Sequence, residues 1–155
     1  MWFQSAPKIT VPGSVYLGSG VSMSSHADIV VAAGLPGAWV FQASGPTFVL
    51  LQTLVSPGSS PYYGFRGIAI TPSAQRIVVG DSIVNSLASY VLGGAFVFDR
   101  VNTTSYEQVP GNITSDYNLN LPSCGNRMLG MGYFVAVSDE NHVLLGAPGD
   151  YCFTG

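Results

Sequence analysis

An all-β fold assembled from repeated units is what the sequence predicts, on three observations. A pentapeptide occurs twice, Gly37-Ala38-Trp39-Val40-Phe41 and Gly94-Ala95-Phe96-Val97-Phe98, with only the central aromatic exchanged. A continuous apolar run precedes each copy, Ile29-Val30-Val31 and Ile77-Val78-Val79, and a third run, Val143-Leu144-Leu145-Gly146-Ala147-Pro148, stands near the C-terminus. Of the 155 residues only 8% are charged, while 19 Gly and 10 Pro supply the punctuation of short strands.

Each unit opens on a Gly-containing turn and a short alternating strand. These openings are Gly18-Ser19-Gly20-Val21-Ser22-Met23-Ser24, Gly64-Phe65-Arg66-Gly67-Ile68-Ala69-Ile70-Thr71 and Gly132-Tyr133-Phe134-Val135-Ala136-Val137-Ser138. Large apolar residues alternate there with small or polar ones, the period of a strand packed on one face. A polar turn follows, at residues 25–28, 72–76 and 139–142, and then the continuous apolar strand. The pentapeptide is the third strand, with glycine letting the chain turn tightly into it. Phe48 to Leu54 and Ser105 to Val109 supply a fourth strand in the first two units. Trp2-Phe3-Gln4 and Lys8 to Ser14 read like one more fourth strand. No 3.6-residue apolar period survives the glycines and prolines, so no long amphipathic helix is expected.

The anchors Val21, Ile68 and Val135 recur at steps of 47 and 67 residues. Four short antiparallel strands at such a period are the mark of a β-propeller blade. A single four-stranded sheet cannot bury both its faces, so neighbouring blades must cover them, which accounts for a strand apolar on both sides. Residues 1–155 are therefore expected to be part of one propeller domain. Its units are 1–14 (the fourth strand of a preceding or closing blade), 15–60, 61–129 and a truncated 130–155. A closed propeller has about four to eight blades, so an incomplete propeller, a fragment, is expected. Its open blade faces would invite self-association.

Gly132 to Ser138 followed by Val143-Leu144-Leu145-Gly146-Ala147-Pro148-Gly149 resembles the FG-GAP repeat of integrin α-subunits and of microbial surface proteins. Gly94 to Arg100 with Ser105-Tyr106-Glu107-Gln108 is similar to the third and fourth strands of the microbial form. The resemblance covers nearly the whole chain, and only the third unit has an intact Gly-Ala-Pro. It implies an extracellular or cell-surface module that recognises a protein or glycan in adhesion, without catalysis of its own. The alternative it leaves is a propeller segment of, or attached to, a hydrolase or lyase whose catalytic residues lie elsewhere. Many such repeats hold calcium between their first two strands through acids at alternate positions. The turns here offer Asp28, no acid at 72–75, and Asp139 with Glu140, so no calcium and no other cofactor is expected. Kelch repeats are the second family resembled, through Gly93-Gly94 and Val97-Phe98-Asp99, but their diglycine closes the second strand and this one precedes the third.

The candidate functional residues are few. Asp81 and Asp150 directly follow second strands and are expected, with Tyr62, Tyr63 and Tyr117 from loops, as contacts on a propeller rim. Asn102-Thr103-Thr104 and Asn112-Ile113-Thr114 are N-glycosylation sequons, marking Asn102 and Asn112 as candidate acceptors. Cys124 and Cys152 lack the spacing of a zinc or redox site; they are either two separate thiols or a disulfide closing a loop around the third unit's first two strands. His26 and His142 fall in polar turns with no Gly-x-Ser-x-Gly elbow to serve, so no catalytic residue is expected. Trp39, Phe41, Phe96 and Phe98 lie inside the repeated strand and are expected to pack between sheets rather than to form a ligand platform.

Charge excludes other classes. Net charge is −3, and Lys8, Arg66, Arg76, Arg100 and Arg127 are scattered singly. A nucleic-acid partner or an electrostatic membrane anchor needs clustered cations. The longest apolar stretch is broken by Gly34, Pro36 and Gly37, which rules out a spanning helix, and Met1-Trp2-Phe3-Gln4 has neither the basic leader nor the apolar core of a signal peptide.

Overall fold

In a computed structural model the described residues, 7–55, 67–81, 91–111, 113, 128–139 and 141–146, form strands and turns with no helix among them. The first sheet runs in sequence order through β1 (Val15–Met23), β2 (Ile29–Leu35), β3 (Ala38–Ser44) and β4 (Thr47–Leu54), every pair antiparallel. The second repeats that order with β5 (Ile68–Ile70), β6 (Arg76–Asp81), β7 (Val91–Arg100) and β8 (Tyr106–Gln108). After β9 (Met128–Met131), the third sheet pairs β10 (Phe134–Val137) with β11 (Val143–Gly146).

Ladder register ties the three sheets together as repeats. Val21 faces Ala32, Ile68 faces Val79 and Val135 faces Leu145, so the anchors read from sequence occupy one structural position. The turns repeat as well. Ala27 and Ala74 both have left-handed φ, 55° and 60°. Ala43 donates its amide to the Asp28 carbonyl as Arg100 does to that of Gln75, each at 2.8 Å.

Consecutive sheets stack face on face. One face of the second sheet (Ile68, Ile70, Ile77, Val79, Phe96, Phe98) forms a single core with Ile29, Val31, Ala33, Ala38, Val40 and Leu54 of the first. Strand alternation puts the remaining side chains, Ala69 and Val78, on the opposite face with Gly80, toward the third sheet. There the approach is backbone to backbone. A Cβ on Gly67 or Gly80 would overlap the Gly132 carbonyl oxygen, and one on Gly132 would overlap that of Gly94. Of the pentapeptide aromatics, Phe96 and Phe98 pack between sheets as expected, pointing at the first sheet, whereas the first copy's pair is buried without a second sheet over it. Trp39 and Phe41 point from the equivalent positions onto the first sheet's outer face, under Ile9, Val11, Leu17 and Phe48.

Three features depart from expectation. Residues 7–14 form no strand; without a third strand to ladder to, they reach the outer face through Ile9 and Val11. Residues 128 and 129, at the end of the tract from Asn112 to Leu129 that its Ser, Asn and Gly content marks as loop, belong with Gly130 and Met131 to β9, which pairs parallel with the start of β7. The β6 ladder ends at Asp81 opposite Gly94, so Val91 and Gly93 run past it, and β9 takes up backbone groups that β6 cannot reach. Finally, neither pentapeptide glycine has a left-handed φ. Gly37 instead lies where a Cβ would meet the Leu54 carbonyl at 3.0 Å.

Candidate functional site

Antiparallel order sends the β1–β2, β5–β6 and β10–β11 turns to one end of the stack, together with the β3–β4 and β7–β8 turns. Each is polar because its residues must leave a ladder and cap their own backbone. In the first, the Ser24 hydroxyl donates to Asp28 Oδ1 and accepts from the Ile29 amide at 3.1 Å. In the second, Thr71 Oγ1 accepts from the amides of Gln75 (3.2 Å) and Arg76 (3.0 Å). In the third, Asp139 Oδ1 accepts from the amides of Asn141 (2.9 Å) and His142 (3.0 Å), with His142 Nδ1 2.9 Å away. Asp28 is held below the usual carboxylate range chiefly by the Ser24 hydroxyl, and Asp139 chiefly by the Asn141 amide.

The turns of the first and second sheets are joined to each other. The Ser25 amide and hydroxyl both donate to the Pro72 carbonyl, at 3.0 and 2.9 Å. His26 Nδ1 lies 3.1 Å from the same hydroxyl. Its one proton is committed to Pro72, so toward the imidazole the hydroxyl acts as acceptor, the reverse of what an activated serine nucleophile requires. Among the described residues no three His, Cys, Asp or Glu side chains converge as a metal site would.

The β7–β8 turn carries the first sequon. Asn102 Oδ1 accepts from the Thr104 amide (2.8 Å) and hydroxyl (3.0 Å). Arg100 Nε donates to the Asn102 carbonyl (3.1 Å) and its guanidinium to that of Thr103 (2.9 Å), with the cation 5.9 Å from the Tyr106 ring centroid. Asn102, Thr103 and Thr104 are all exposed.

Of the other residues singled out from sequence, Tyr62, Tyr63, Asn112, Tyr117, Cys124, Asp150 and Cys152 lie outside the described residues. Asp81 ends β6 opposite Gly94, at the far end from these turns and fully buried, so it presents no exposed contact. Sequence reasoning marks Asn102 in the β7–β8 turn as a glycosylation acceptor, and the turn is exposed; what it does not single out is Arg100, which braces that turn through the Asn102 and Thr103 carbonyls. No helix among the described residues is long and apolar enough to cross a membrane. Comparison of the chain with family models, with curated proteins and with solved structures finds no match.

Proposed function

We propose that the chain is part of an FG-GAP-like β-propeller, a surface-exposed module that recognises a protein or glycan through the turns gathered at one end of its sheets. One observation carries this reading. The equivalent turns of the first two sheets are bonded to one another through Ser25 and Pro72, and His26, Ser73, Asn102, Thr103 and His142 are exposed on turns that strand order sends to the same end. A rigid frame with exposed polar turns loses little conformational entropy on binding. The face-to-face stacking of register-matched sheets supports the propeller architecture, and the exposed sequon at Asn102 agrees with an extracellular setting.

The test is a glycan and protein binding screen with the 155-residue chain, repeated with a rim variant combining H26A, N102Q and H142A. A ligand retained by the parent and lost by the variant is the expected result. A ligand held equally by both, or none retained by the parent, overturns it.

A further inference from the structure

Each end of the stack leaves apolar side chains exposed at positions that are buried inside it: at the first sheet the β1 edge, beside a centre covered by Ile9 and Val11, and at the third sheet the outer side of β10 and β11. In each internal contact the first strand of the following sheet rests on the first two strands of the preceding one: β5 against β1 and β2, β10 against β5 and β6. The side chains that β5 contributes, Ile68 and Ile70, are 6% and 4% exposed. Register puts Val21 and Met23 of β1 at those same positions, and they are 60% and 56% exposed. At the other end Leu144 of β11 holds the place of Val31 and Val78, which are both fully buried, yet it is 71% exposed beside Phe134 at 56%. Backbone geometry is repeated too. Gly18 and Gly132, three residues before the anchors Val21 and Val135, have φ of 90° and 87°; Gly132 is pressed against its neighbour sheet, whereas nothing lies within 4 Å of a Cβ at Gly18.

We propose that a second copy of this chain seats its β10–β11 face on the β1 edge of the first, continuing the stack head to tail. The two strands of the third sheet are the two that a following first strand rests on inside the molecule, so the contact needs nothing further from that sheet. Phe134 stands where the second sheet has Gly67, so an aromatic ring takes the place of backbone contact there. The union is heterologous: each copy keeps one face of each kind, and growth stays open unless the rotation closes a ring. This association uses the sheet faces and is independent of the rim.

Two variants test it. V21K/M23K blocks the β1 face and F134K/L144K blocks the β10–β11 face, all four at exposed positions. Sedimentation velocity over a concentration series is expected to show oligomers of the parent, monomers of each variant alone, and a dimer that grows no further when the two are mixed. A parent that stays monomeric throughout, a single variant that still associates, or a mixture that does not pair overturns the proposal. Each variant must keep the parent's near-ultraviolet spectrum, and serine at the same positions replaces any lysine pair that loses it. A variant set that binds the rim ligand normally yet no longer associates separates this proposal from the functional reading.

Discussion

The side chain of Gln52 stands in for a β-strand at the edge of the second sheet. Its carboxamide nitrogen donates to the Tyr106 carbonyl and its oxygen accepts from the Tyr106 amide, both at 2.8 Å. Those are the groups that β8, as an edge strand, turns away from β7. Tyr106 is buried, so without Gln52 both groups would lie in the interior unmatched.

Replacing Gln52 with Leu keeps the volume and deletes both bonds. Leaving a buried donor and acceptor unmatched costs about 1–3 kcal/mol, which urea unfolding of Q52L will read as a lowered midpoint. Q52E keeps the bond to the Tyr106 amide but aims an oxygen at its carbonyl, and is expected to be no more stable than Q52L at neutral pH.

Tyr106 also holds its own sheet, its hydroxyl donating to the Ala74 carbonyl at 2.8 Å. Burial is the main cause that raises its ionisation above the ordinary 10.0. The folded state therefore holds the phenolic proton more tightly than the unfolded chain does. The stability this contributes is complete below pH 10 and lost as pH rises through the raised value. Y106F should cost about 1 kcal/mol at neutral pH. A pH series of thermal midpoints should then fall less steeply above pH 10 for Y106F than for the parent.

At acid pH the cross-strand pair Arg76–Asp99 contributes to the stability of the second sheet. The guanidinium donates through Nε (2.6 Å) and Nη2 (2.8 Å), and this bonding is the main cause that lowers Asp99 below the ordinary 3.8. A depressed carboxyl contributes stability above its unfolded value and loses it as pH falls through its folded one. Both side chains are partly exposed, so the pair is worth about 0.5–1 kcal/mol. R76M should flatten the decline of stability below pH 4; an unchanged slope would sever the decline from this pair.

The contact between the second and third sheets depends on having no side chains at Gly80 and Gly132. G132A combines a left-handed φ with a Cβ that overlaps the Gly94 carbonyl, and G80A overlaps that of Gly132. Neither obstacle is a flexible side-chain end, so each should cost at least about 3 kcal/mol at this contact. Hydrogen exchange over β10 and β11 will rise in both variants if so, while β2 and β3 stay protected.

How much of this was legible follows from where the sequence alternates. Val21, Ile68 and Val135 sit in strands apolar on one face, and their equivalence holds in the ladder register. The runs Ile29–Val31 and Ile77–Val79 are apolar on both faces, and alternation cannot phase them. Register equates Val30, not Ile29, with Ile77, each lying opposite a pentapeptide phenylalanine. Gln52 left one sign, a polar residue between Leu51 and Leu54 at an inward position, but its partner lies 54 residues away and no local rule finds it. Asp81 shows the converse: turn residues and strand-end residues look alike in sequence, and only the ladder to Gly94 puts it inside. The polar end of the stack was obscured because its turns cap themselves with ordinary Ser, Thr, Asn and Asp, which mark turns generally.

The repeat itself supplies the last test. Trp39 and Phe96 occupy the same place in successive sheets, and the first is buried with Phe41 under Ile9, Val11, Leu17 and Phe48. The second sheet packs the same face with phenylalanine there. W39F therefore keeps an aromatic shape the fold already uses and should cost no more than about 1.5 kcal/mol. W39A opens a cavity against four apolar neighbours and should cost about 3–5 kcal/mol. Denaturant titration of both variants gives these values, and the W39F result also separates packing from recognition. A residue that only fills the core can be exchanged for phenylalanine with ligand binding unchanged. Loss of binding in a stable W39F would mean that the indole meets the ligand.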